Sequence, residues 1–353
     1  MDLEYVLSQE KIDHLHTLIN SAQRIAVVCH ARPDGDATGS MTALIQILRA
    51  QGHEVFGIAP TPVPPPLQWV KGYDLVHTYS SSSQSINTLL TSVQLFIHVD
   101  HNSLSRVDPQ LEAVLRTCDA PRIMIDHHIL PSSEDFTLSF SRPESSSTCE
   151  LLYEIICRAW GNEAITPDIA NCLYMGILTD TGSFAHACGH KRTFEVAGTL
   201  VELGANVHTI RDHVLGSYSQ NRYRLYGDAM ATKTEFFANG KAAIIVLSSE
   251  FLNSYNFTSG DTEGLVNEPL TVEGVAISAS ISERTDGLIR VSLRSRGNAE
   301  VNTIARNYFN GGGHPQASGG TLNMSLRKAA LFVRLVIARA IETGECFCTH
   351  HDC

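Results

Sequence analysis

The sequence predicts an α/β protein of two domains, an N-terminal domain with a parallel sheet and a smaller C-terminal α/β domain. Over the first half of the 353 residues, apolar runs typical of strands alternate with amphipathic helical patterns. Such alternation indicates a parallel sheet with helices on both faces. After Asn239-Gly240, a dipeptide typical of hairpin turns, short strand patterns alternate with short helices. The apolar fraction of 43% is ordinary for a globular protein, and this length suffices for two cores.

The elements of the first domain, predicted to span residues 1–190, follow from the spacing of apolar residues. Apolar residues three or four positions apart predict helices, whereas continuous apolar runs predict buried strands. The predicted helices span 9–20, 37–50, 149–160 and 167–178, and the predicted strands span 24–30, 53–59, 93–100 and 122–128. The prolines of 60–66 predict a loop, and the serines of 80–85 predict a polar turn.

The patterns of apolar residues and the composition divide the rest of the chain into a connector, a second domain and a tail. Residues 191–234 show helical patterns only, which predicts a helical connector. Residues 235–343 form the predicted second domain, with strands at 242–247, 274–282 and 288–293 and a final helix at 325–342. The tail, 344–353, is rich in cysteine and histidine, but its spacing is not typical of structural zinc, which favours a frayed end.

Charge and composition limit the partners. A formal net charge of −11 disfavours binding to long duplex nucleic acid and favours short substrates. No apolar run is long enough to span a membrane, and the acidic N-terminus does not resemble a secretory signal. Nine cysteines, several within apolar patterns, indicate reduced thiols. We therefore expect a cytoplasmic protein without a membrane partner, while a homodimer remains possible.

Histidines and aspartates end three of the predicted strands. His30 ends the first strand, Asp100 ends the third, and Asp126-His127-His128 ends the fourth. Because ligands of such sheets bind at the carboxyl ends of the strands, we expect these side chains to lie together. Asp34 and Asp36 lie in the loop after His30. Asp180 lies in the polar segment that follows the predicted helix 167–178.

These carboxylates indicate a metal site. Four of them converging without compensation would raise one another's pKa and destabilise the fold, but two divalent cations would neutralise them. Oxygen-rich ligation with one or two imidazoles suits Mn²⁺ or Mg²⁺ better than Zn²⁺, and we expect Mn²⁺. Two such ions about 4 Å apart can clamp a phosphoryl group. The chemistry indicated is hydrolysis of a phosphoester or phosphoanhydride.

Structural roles without a ligand are the alternative for each residue. A histidine at a strand end can be a satisfied core residue, and Asp34 and Asp36 can be turn residues. The Asp-His-His triplet alone would more often mark a solvated strand end. Their joint presence with Asp100 favours the metal site. His98 and His101 flank Asp100, and the sequence leaves open whether either lies near the site or is solvated.

The motifs resemble those of the DHH phosphoesterase superfamily, and their nearest form is the NrnA-like oligoribonuclease/pAp phosphatase group. The resemblance rests on the order His30-x3-Asp34-x-Asp36, Asp100, Asp126-His127-His128 and Asp180-Thr-Gly-x-Phe184. The run from Gly311 to Gly319, Gly-Gly-Gly-His-Pro-Gln-Ala-Ser-Gly, resembles the signature of the C-terminal DHHA1 domain, as does Asp261-Thr-Glu-Gly264-Leu-Val-Asn267.

The resemblance implies a role for each matching residue. It implies that His30, Asp34 and Asp100 hold one ion. It implies that a second ion is held by Asp36, Asp100, His127 and Asp180, with Asp100 bridging. Asp126 would orient His127, and His128 would face the phosphate and stabilise its charge. Asp100, Asp126 and His128 are thus the expected catalytic residues.

The second domain is expected to bind the substrate. Consecutive glycines can point backbone N–H groups at one anion, so Gly312, Gly313 and His314 predict a phosphate site, with a flexible turn as the alternative. Arginines cluster between 284 and 296, and on a strand alternate residues share a face. We expect either Arg294 or Arg296 to bind substrate, whereas Arg284, flanked by acids, is expected to form surface ion pairs.

The expected function is a metal-dependent phosphoesterase acting on short oligoribonucleotides and on pAp, which it would convert to AMP. A second enzymatic hypothesis keeps the metals and changes the substrate to polyphosphate, pyrophosphate or the linear dinucleotide pApA. A nucleotide sensor with an inactive site would have lost a ligand, and none is missing from the motifs.

Overall fold

A computed structural model describes residues 6–129, 131–132, 134–185, 190–216, 218–258, 260–284 and 286–344. The chain forms two compact units that divide between residues 217 and 218. This point lies inside the stretch 191–234 that the sequence predicts to be a connector, and the predicted domain bounds stay a prediction. No helix in the described ranges is both long and apolar enough to cross a membrane.

The first unit contains a six-stranded sheet in the order β3-β2-β1-β4-β5-β6, in which all neighbours pair in parallel. The predicted fold class is therefore confirmed. Its strands are β1 Arg24–Val28, β2 Glu54–Ala59, β3 Val76–Thr78, β4 Leu95–Val99, β5 Arg122–Asp126 and β6 Leu138–Ser141.

Helices cover both faces of this sheet. They are α1 Gln9–Asn20, α2 Gly35–Ala50, α3 Tyr79–Leu90, α4 Pro109–Thr117, α5 Thr148–Trp160, α6 Pro167–Asp180, α7 Lys191–Glu202 and α8 Val207–Val214. Alternate residues of β1 belong to different cores: Ile25 and Val27 pack in the cluster that contains α2, α5 and α6. Ala26 and Val28 pack with α3 and α4 on the other face. This alternation follows from the period of two in a strand.

Two sequence predictions for this unit are wrong. Residues 80–85, predicted as a polar turn, belong to α3, and α6 extends to Asp180 instead of ending at residue 178. In α3, Tyr79, Ile86 and Leu90 are buried while the serines face outward. Burial of these three apolar side chains therefore outweighs the low helix propensity of serine.

The second unit contains a mixed six-stranded sheet in the order β11-β12-β10-β9-β8-β7. Only β8 and β9 pair in parallel. Helix α12 packs through Ala329, Val333 and Ile337 on the core of this unit. The elements are α9 Gln220–Asp228, β7 Thr234–Phe237, β8 Ala242–Leu247, α10 Ser249–Ser254, β9 Ile277–Glu283, β10 Ile289–Ser295, α11 Asn302–Tyr308, β11 Gly312–His314, β12 Ala317–Leu322 and α12 Leu326–Thr343.

Helices α2 and α6 approach each other closely because glycines line their contact. A Cβ on Gly39 of α2 would overlap the carbonyl oxygen of Cys172, and one on Gly176 of α6 would overlap the Sγ of Cys149. The same Cβ on Gly176 would lie 2.8 Å from Oδ1 of Asp36. The glycines therefore let α6 pack directly beside the start of α2.

This contact predicts a large difference between two glycine-to-alanine substitutions. Gly39→Ala should lower the free energy of unfolding by about 1–3 kcal/mol, because a backbone carbonyl cannot move aside as a side chain can. Gly198→Ala on α7 is the matched control, since nothing lies within 4 Å of its added Cβ. It should raise stability by roughly 0.5 kcal/mol through helix propensity. Urea unfolding of both variants measures the difference, and equal effects would contradict the close-packing account.

Candidate metal centre

The strand ends bring one set of polar side chains to the carboxyl edge of the first sheet. His30 lies two residues beyond β1, Asp100 directly follows β4, and Asp126 is the last residue of β5. His127 and His128 follow Asp126, and all five side chains are largely buried. The backbone of Asp100 adopts a left-handed conformation with φ of 60°. Such a conformation is uncommon outside glycine and is found at sites where a side chain has to be aimed.

The starts and ends of helices supply the remaining carboxylates. Asp34 is the N-cap of α2, and its Oδ1 accepts hydrogen bonds of 3.1 Å from the N–H groups of Asp36 and Ala37. Asp36 lies in the first turn of α2 and is fully buried. Asp180 is the last residue of α6. The fold therefore collects every residue that the sequence suggested as a metal ligand.

The ligand atoms form two groups that share one carboxylate. In the first, Nε2 of His30 lies 3.2 Å from Oδ2 of Asp100 and 3.8 Å from Oδ2 of Asp34. In the second, Nε2 of His127 lies 3.7 Å from Oδ1 of Asp100. Two further carboxylates complete the second group, because the same nitrogen lies 3.9 Å from Asp36 and 3.3 Å from Asp180.

The spacing within each group suits a cation. His30, Asp34 and Asp100 offer three ligand atoms that all lie within 4.8 Å of one another, and so do Asp36, Asp100 and His127. Ligands of a six-coordinate ion with bonds of about 2 Å are separated by comparable distances. The two groups use different oxygens of Asp100, which is the arrangement expected of a bridging carboxylate.

Hydrogen bonds hold both imidazoles in the tautomer that a metal requires. Nδ1 of His30 lies 2.9 Å from the carbonyl oxygen of Ala31, and Nδ1 of His127 lies 3.1 Å from that of Ser145. A carbonyl oxygen only accepts, so each Nδ1 carries the proton and donates it. The lone pair of each Nε2 is therefore directed at the carboxylates, as in histidines that ligate metals.

The N-terminus of α5 holds the buried carboxylate of Asp36. Its Oδ2 accepts from the N–H of Thr148 at 2.6 Å, and its Oδ1 accepts from the N–H of Cys149 at 2.8 Å. The hydroxyl of Thr148 also donates to Oδ1 of Asp100 at 3.1 Å. Exposed N–H groups at the start of a helix favour an anion. Thr148 is a site residue that sequence reasoning missed, and its position at the start of a helix was the signal available.

Asp126 orients His128, not His127 as the sequence suggested. The Oδ1 of Asp126 lies 2.8 Å from Nδ1 of His128, and its Oδ2 accepts from the backbone N–H of His128 at 2.8 Å. Strand β5 ends at Asp126, and a carboxylate that accepts from the backbone N–H two residues on closes a local Asx turn. That turn brings the Asp126 carboxylate to His128, whereas the carbonyl oxygen of Ser145 orients His127.

Arg106 adds a positive charge that the sequence analysis did not single out. It ends a short helical turn, 104–106, and its Nη2 lies 3.3 Å from Nε2 of His128. Because Nδ1 of His128 donates to Asp126, Nε2 is the acceptor for the guanidinium. His98 and His101, whose location the sequence left open, are both buried, with Nδ1 of His98 lying 2.9 Å from Nε2 of His101.

Burial and mutual repulsion raise the pKa of the central carboxylates. Burial is the largest cause for Asp36, Asp100 and Asp180, and it raises the pKa of Asp180 to about 8. Neighbouring carboxylates raise the pKa of Asp100 further. Burial alone would lower the pKa of His127, but the carboxylates, first that of Asp180, outweigh it and the pKa is raised. Divalent cations beside these carboxylates would act in the opposite direction and favour their ionised forms.

In the second unit, the glycine run forms an edge strand. Gly312, Gly313 and His314 make up β11 and pair with Gly319, Ser318 and Ala317 of β12. Successive N–H groups of a strand point in opposite directions, so a nest of three N–H groups aimed at one anion is not the arrangement observed. The flexible-turn alternative is also wrong. A Cβ on Gly313 would lie 2.5 Å from the carbonyl oxygen of Ala317, so close approach to β12 explains the glycine.

The arginines of the second unit fall into distinct environments. Arg290 and Arg294 share a face of β10 and line a polar depression with Ser280, Ser292 and the loop 262–264. Arg296 lies beyond the strand, and its guanidinium donates to the carbonyl oxygens of Leu270 and Val272 at 2.9 and 3.2 Å.

Of the two arginines proposed to bind substrate, Arg294 is therefore the one that lines a depression. Arg284 pairs with Asp286 at 2.7 Å, as expected of a surface residue. The cysteine- and histidine-rich tail, for which the sequence favours a frayed end, lies outside the described residues.

Sequence profiles of two families match the chain. The profile of the "DHH family, N-terminal domain" matches residues 24–177, and that of the "DHHA1 domain" matches residues 239–340. The first range contains all residues of the candidate metal centre except Asp180. The second contains Arg294 and strand β11.

Relatives of known structure or curated name match most of the chain. The Streptococcus mutans protein named probable bifunctional oligoribonuclease and PAP phosphatase NrnA is 28% identical over 304 residues, which are 85% of this chain and 90% of that protein. The Bacillus subtilis protein named bifunctional oligoribonuclease and PAP phosphatase NrnA is 29% identical over 302 residues, 83% of this chain and 87% of that protein. A crystal structure described as an exopolyphosphatase-related protein from Bacteroides fragilis is 31% identical, with a TM-score of 0.89 and coverage of 95% of this chain and 98% of that chain.

The raised pKa values predict how cations affect stability at different pH. A carboxylate whose pKa is raised in the folded state stabilises the fold only while protonated, so this contribution is present near pH 4 and is lost as the pH rises through about 8. Bound cations replace the protons. Millimolar Mn²⁺ should therefore raise the Tm of the first unit by about 5 °C or more at pH 8 and by about 1 °C or less at pH 5. Thermal unfolding in Mn²⁺ and in chelator tests this, and a gain independent of pH would contradict it.

The orientation of His128 predicts the effect of Asp126→Asn. An amide oxygen can accept from only one of the two donors of His128 and places an NH₂ group against the other. We expect kcat for phosphoester hydrolysis to fall roughly 10²- to 10⁴-fold, as when an imidazole is held in the wrong tautomer. Asp119→Asn, at an exposed position of the same unit, is the control and should retain kcat. An unchanged kcat in Asp126→Asn would exclude a role for this hydrogen bond.

Proposed function

This chain belongs to the DHH family of phosphoesterases, and we propose that it hydrolyses short oligoribonucleotides and converts pAp to AMP. One observation carries the proposal. Two relatives named bifunctional oligoribonuclease and PAP phosphatase NrnA match 83–85% of this chain and 87–90% of their own lengths. A match over both units favours a shared substrate class more strongly than the catalytic domain alone would, because the second unit carries the proposed substrate-binding residues.

We propose that two divalent cations, Mn²⁺ in the cell, bind in the first unit. His30, Asp34 and Asp100 would hold one, and Asp36, Asp100, His127 and Asp180 would hold the other. The two triads within 4.8 Å and the Nδ1–H donors that free both Nε2 atoms support this assignment. When bound, the ions supply the positive charge that activates water and stabilises phosphoryl oxygens.

The protein's own residues would orient the phosphate and hold protons around it. His128 is fixed by Asp126 on one side and by Arg106 on the other, so its ring is held between an anion and a cation. The Nη2 of Arg106 supplies a positive charge beside the ring, which would attract a phosphate. Asp100 would bridge the two metal-binding groups, and cations there would offset the burial and the neighbouring carboxylates that raise its pKa.

We propose that the second unit binds the part of the substrate that does not react. Arg290 and Arg294 on one face of β10, with serines around them, support an anion or nucleotide site there. His314, the last residue of the edge strand, would add a donor to the same end of the substrate. The proposed partners are short RNA and mononucleotides, and the proposed location is the cytoplasm.

A second candidate function is supported by one observation. The Bacteroides fragilis protein whose structure matches with a TM-score of 0.89 is described as exopolyphosphatase-related. Polyphosphate or pyrophosphate would use the same metal centre and the same arginines. The linear dinucleotide pApA is a further alternative. The nucleotide substrates carry a base that the protein can bind, whereas polyphosphate carries none.

Direct assay separates these functions. Purified protein is incubated in Mn²⁺ with a labelled RNA of about five nucleotides, with pAp, with pApA and with polyphosphate. We expect release of mononucleotides from RNA and of AMP from pAp, abolished by chelator and reduced at least 10³-fold by Asp100→Ala. Asp119→Ala, an exposed carboxylate of the same unit, should retain full activity. Hydrolysis of polyphosphate alone would refute the proposed nucleotide substrates. Hydrolysis of none of the four compounds would refute the proposed hydrolase activity.

A further inference from the structure

Two phenylalanine rings of the first unit stack close along the chain to the metal centre. The ring centroids of Phe184 and Phe194 lie 5.6 Å apart with an interplanar angle of 26°. Phe184 follows Asp180 by four residues, and Phe194 lies in the first turns of α7. The Phe194 side chain is 52% exposed, whereas its helix is anchored in the core through Val196, among others. An exposed ring stacked on a partly buried one presents an aromatic surface to solvent.

The backbone conformation fixes the position of the Phe184 ring. Ser183 and Phe184 have φ of 62° and 65°, a conformation that bulky residues rarely adopt. The N–H of Phe184 donates to Oγ1 of Thr181 at 3.0 Å, and the ring packs edge-on against Tyr174 at 6.2 Å. The turn that places Asp180 in the metal centre therefore also places Phe184.

A series of hydrogen bonds connects the segment that carries Phe194 to the metal centre. Thr193, next to Phe194, donates its hydroxyl to Oε2 of Glu150 at 2.8 Å. The same oxygen accepts from the N–H at position 146, and the carbonyl at 145 accepts from Nδ1 of His127. Both rings are thus held by segments that also hold ligand residues of the metal centre.

We propose that Phe194 and Phe184 form a stacking platform for the base of the nucleotide whose phosphate reaches the metal centre. This rests on the proposed function and deepens it by assigning the base a site in the first unit. Base–aromatic stacking depends on the π-face that every base has, so the platform takes any base. It gives the centre a preference for nucleotides over polyphosphate, which offers nothing to stack.

The test compares two phosphate compounds that differ only in the base. Calorimetric titration in Mn²⁺ measures the binding of AMP and of ribose 5-phosphate to the full chain and to three variants. Phe194→Ala removes the exposed ring, and Phe194→Tyr keeps a ring. Val201→Ala is the matched control, because Val201 is an exposed apolar residue of the same helix, 45% accessible. Thermal unfolding of each variant verifies that it is folded.

The wild type should bind AMP more tightly than ribose 5-phosphate. Phe194→Ala should weaken AMP binding about 5- to 100-fold and leave ribose 5-phosphate unchanged, whereas Phe194→Tyr and Val201→Ala should keep the wild-type difference. Unchanged AMP affinity in Phe194→Ala would overturn the platform even if the protein hydrolyses RNA. Loss of the base-dependent difference in a protein that hydrolyses no nucleotide would support the platform while refuting the proposed function.

Discussion

The candidate metal centre depends on the hydrogen bonds between the buried carboxylate of Asp36 and the start of α5. Removing an ionised carboxylate from water is costly unless hydrogen bonds and opposite charge replace the solvent. Two backbone N–H groups at the start of α5 supply the hydrogen bonds, and the glycine surface of α6 lets a third helix close over the site. The close packing of α2, α5 and α6 buries this carboxylate, and burial of its negative charge is what a bound cation would compensate.

Much of the first unit could be predicted from the sequence because its signals are local. Three of the apolar runs that become strands, those of β1, β4 and β5, end at a polar residue of the centre or within two residues of one, and parallel topology then brings these ends together. The role of Asp126 was predicted incorrectly, because the strand ends at Asp126 and an aspartate there turns back on the N–H two residues on, which belongs to His128. The N–H groups of Thr148 and Cys149 that bind Asp36 belong to the backbone, so only the start of α5, and no motif of side chains, indicates them in the sequence.

The second unit was less predictable for a physical reason. A run of glycines indicates that side chains are excluded, but not what excludes them. An anion bound to N–H groups and a neighbouring strand at close range have the same requirement, and only the pairing of β11 with β12 distinguishes them. Arg296 shows the same limit, because the backbone carbonyls that it binds lie on residues 270 and 272, far from it in sequence.

The thiol of Cys149 gives the tight helix contact a further consequence. Its Sγ lies where a Cβ on Gly176 would be, burial raises its pKa well above the ordinary value, and it donates to the carbonyl oxygen of Asp36. The folded protein therefore protects this sulfur from oxidants, which attack thiolates. Once the chain unfolds, oxidation to a sulfinic acid would add atoms for which the helix contact has no space. Under oxidising conditions, unfolding should thus be irreversible for a reason that lies inside the metal centre itself.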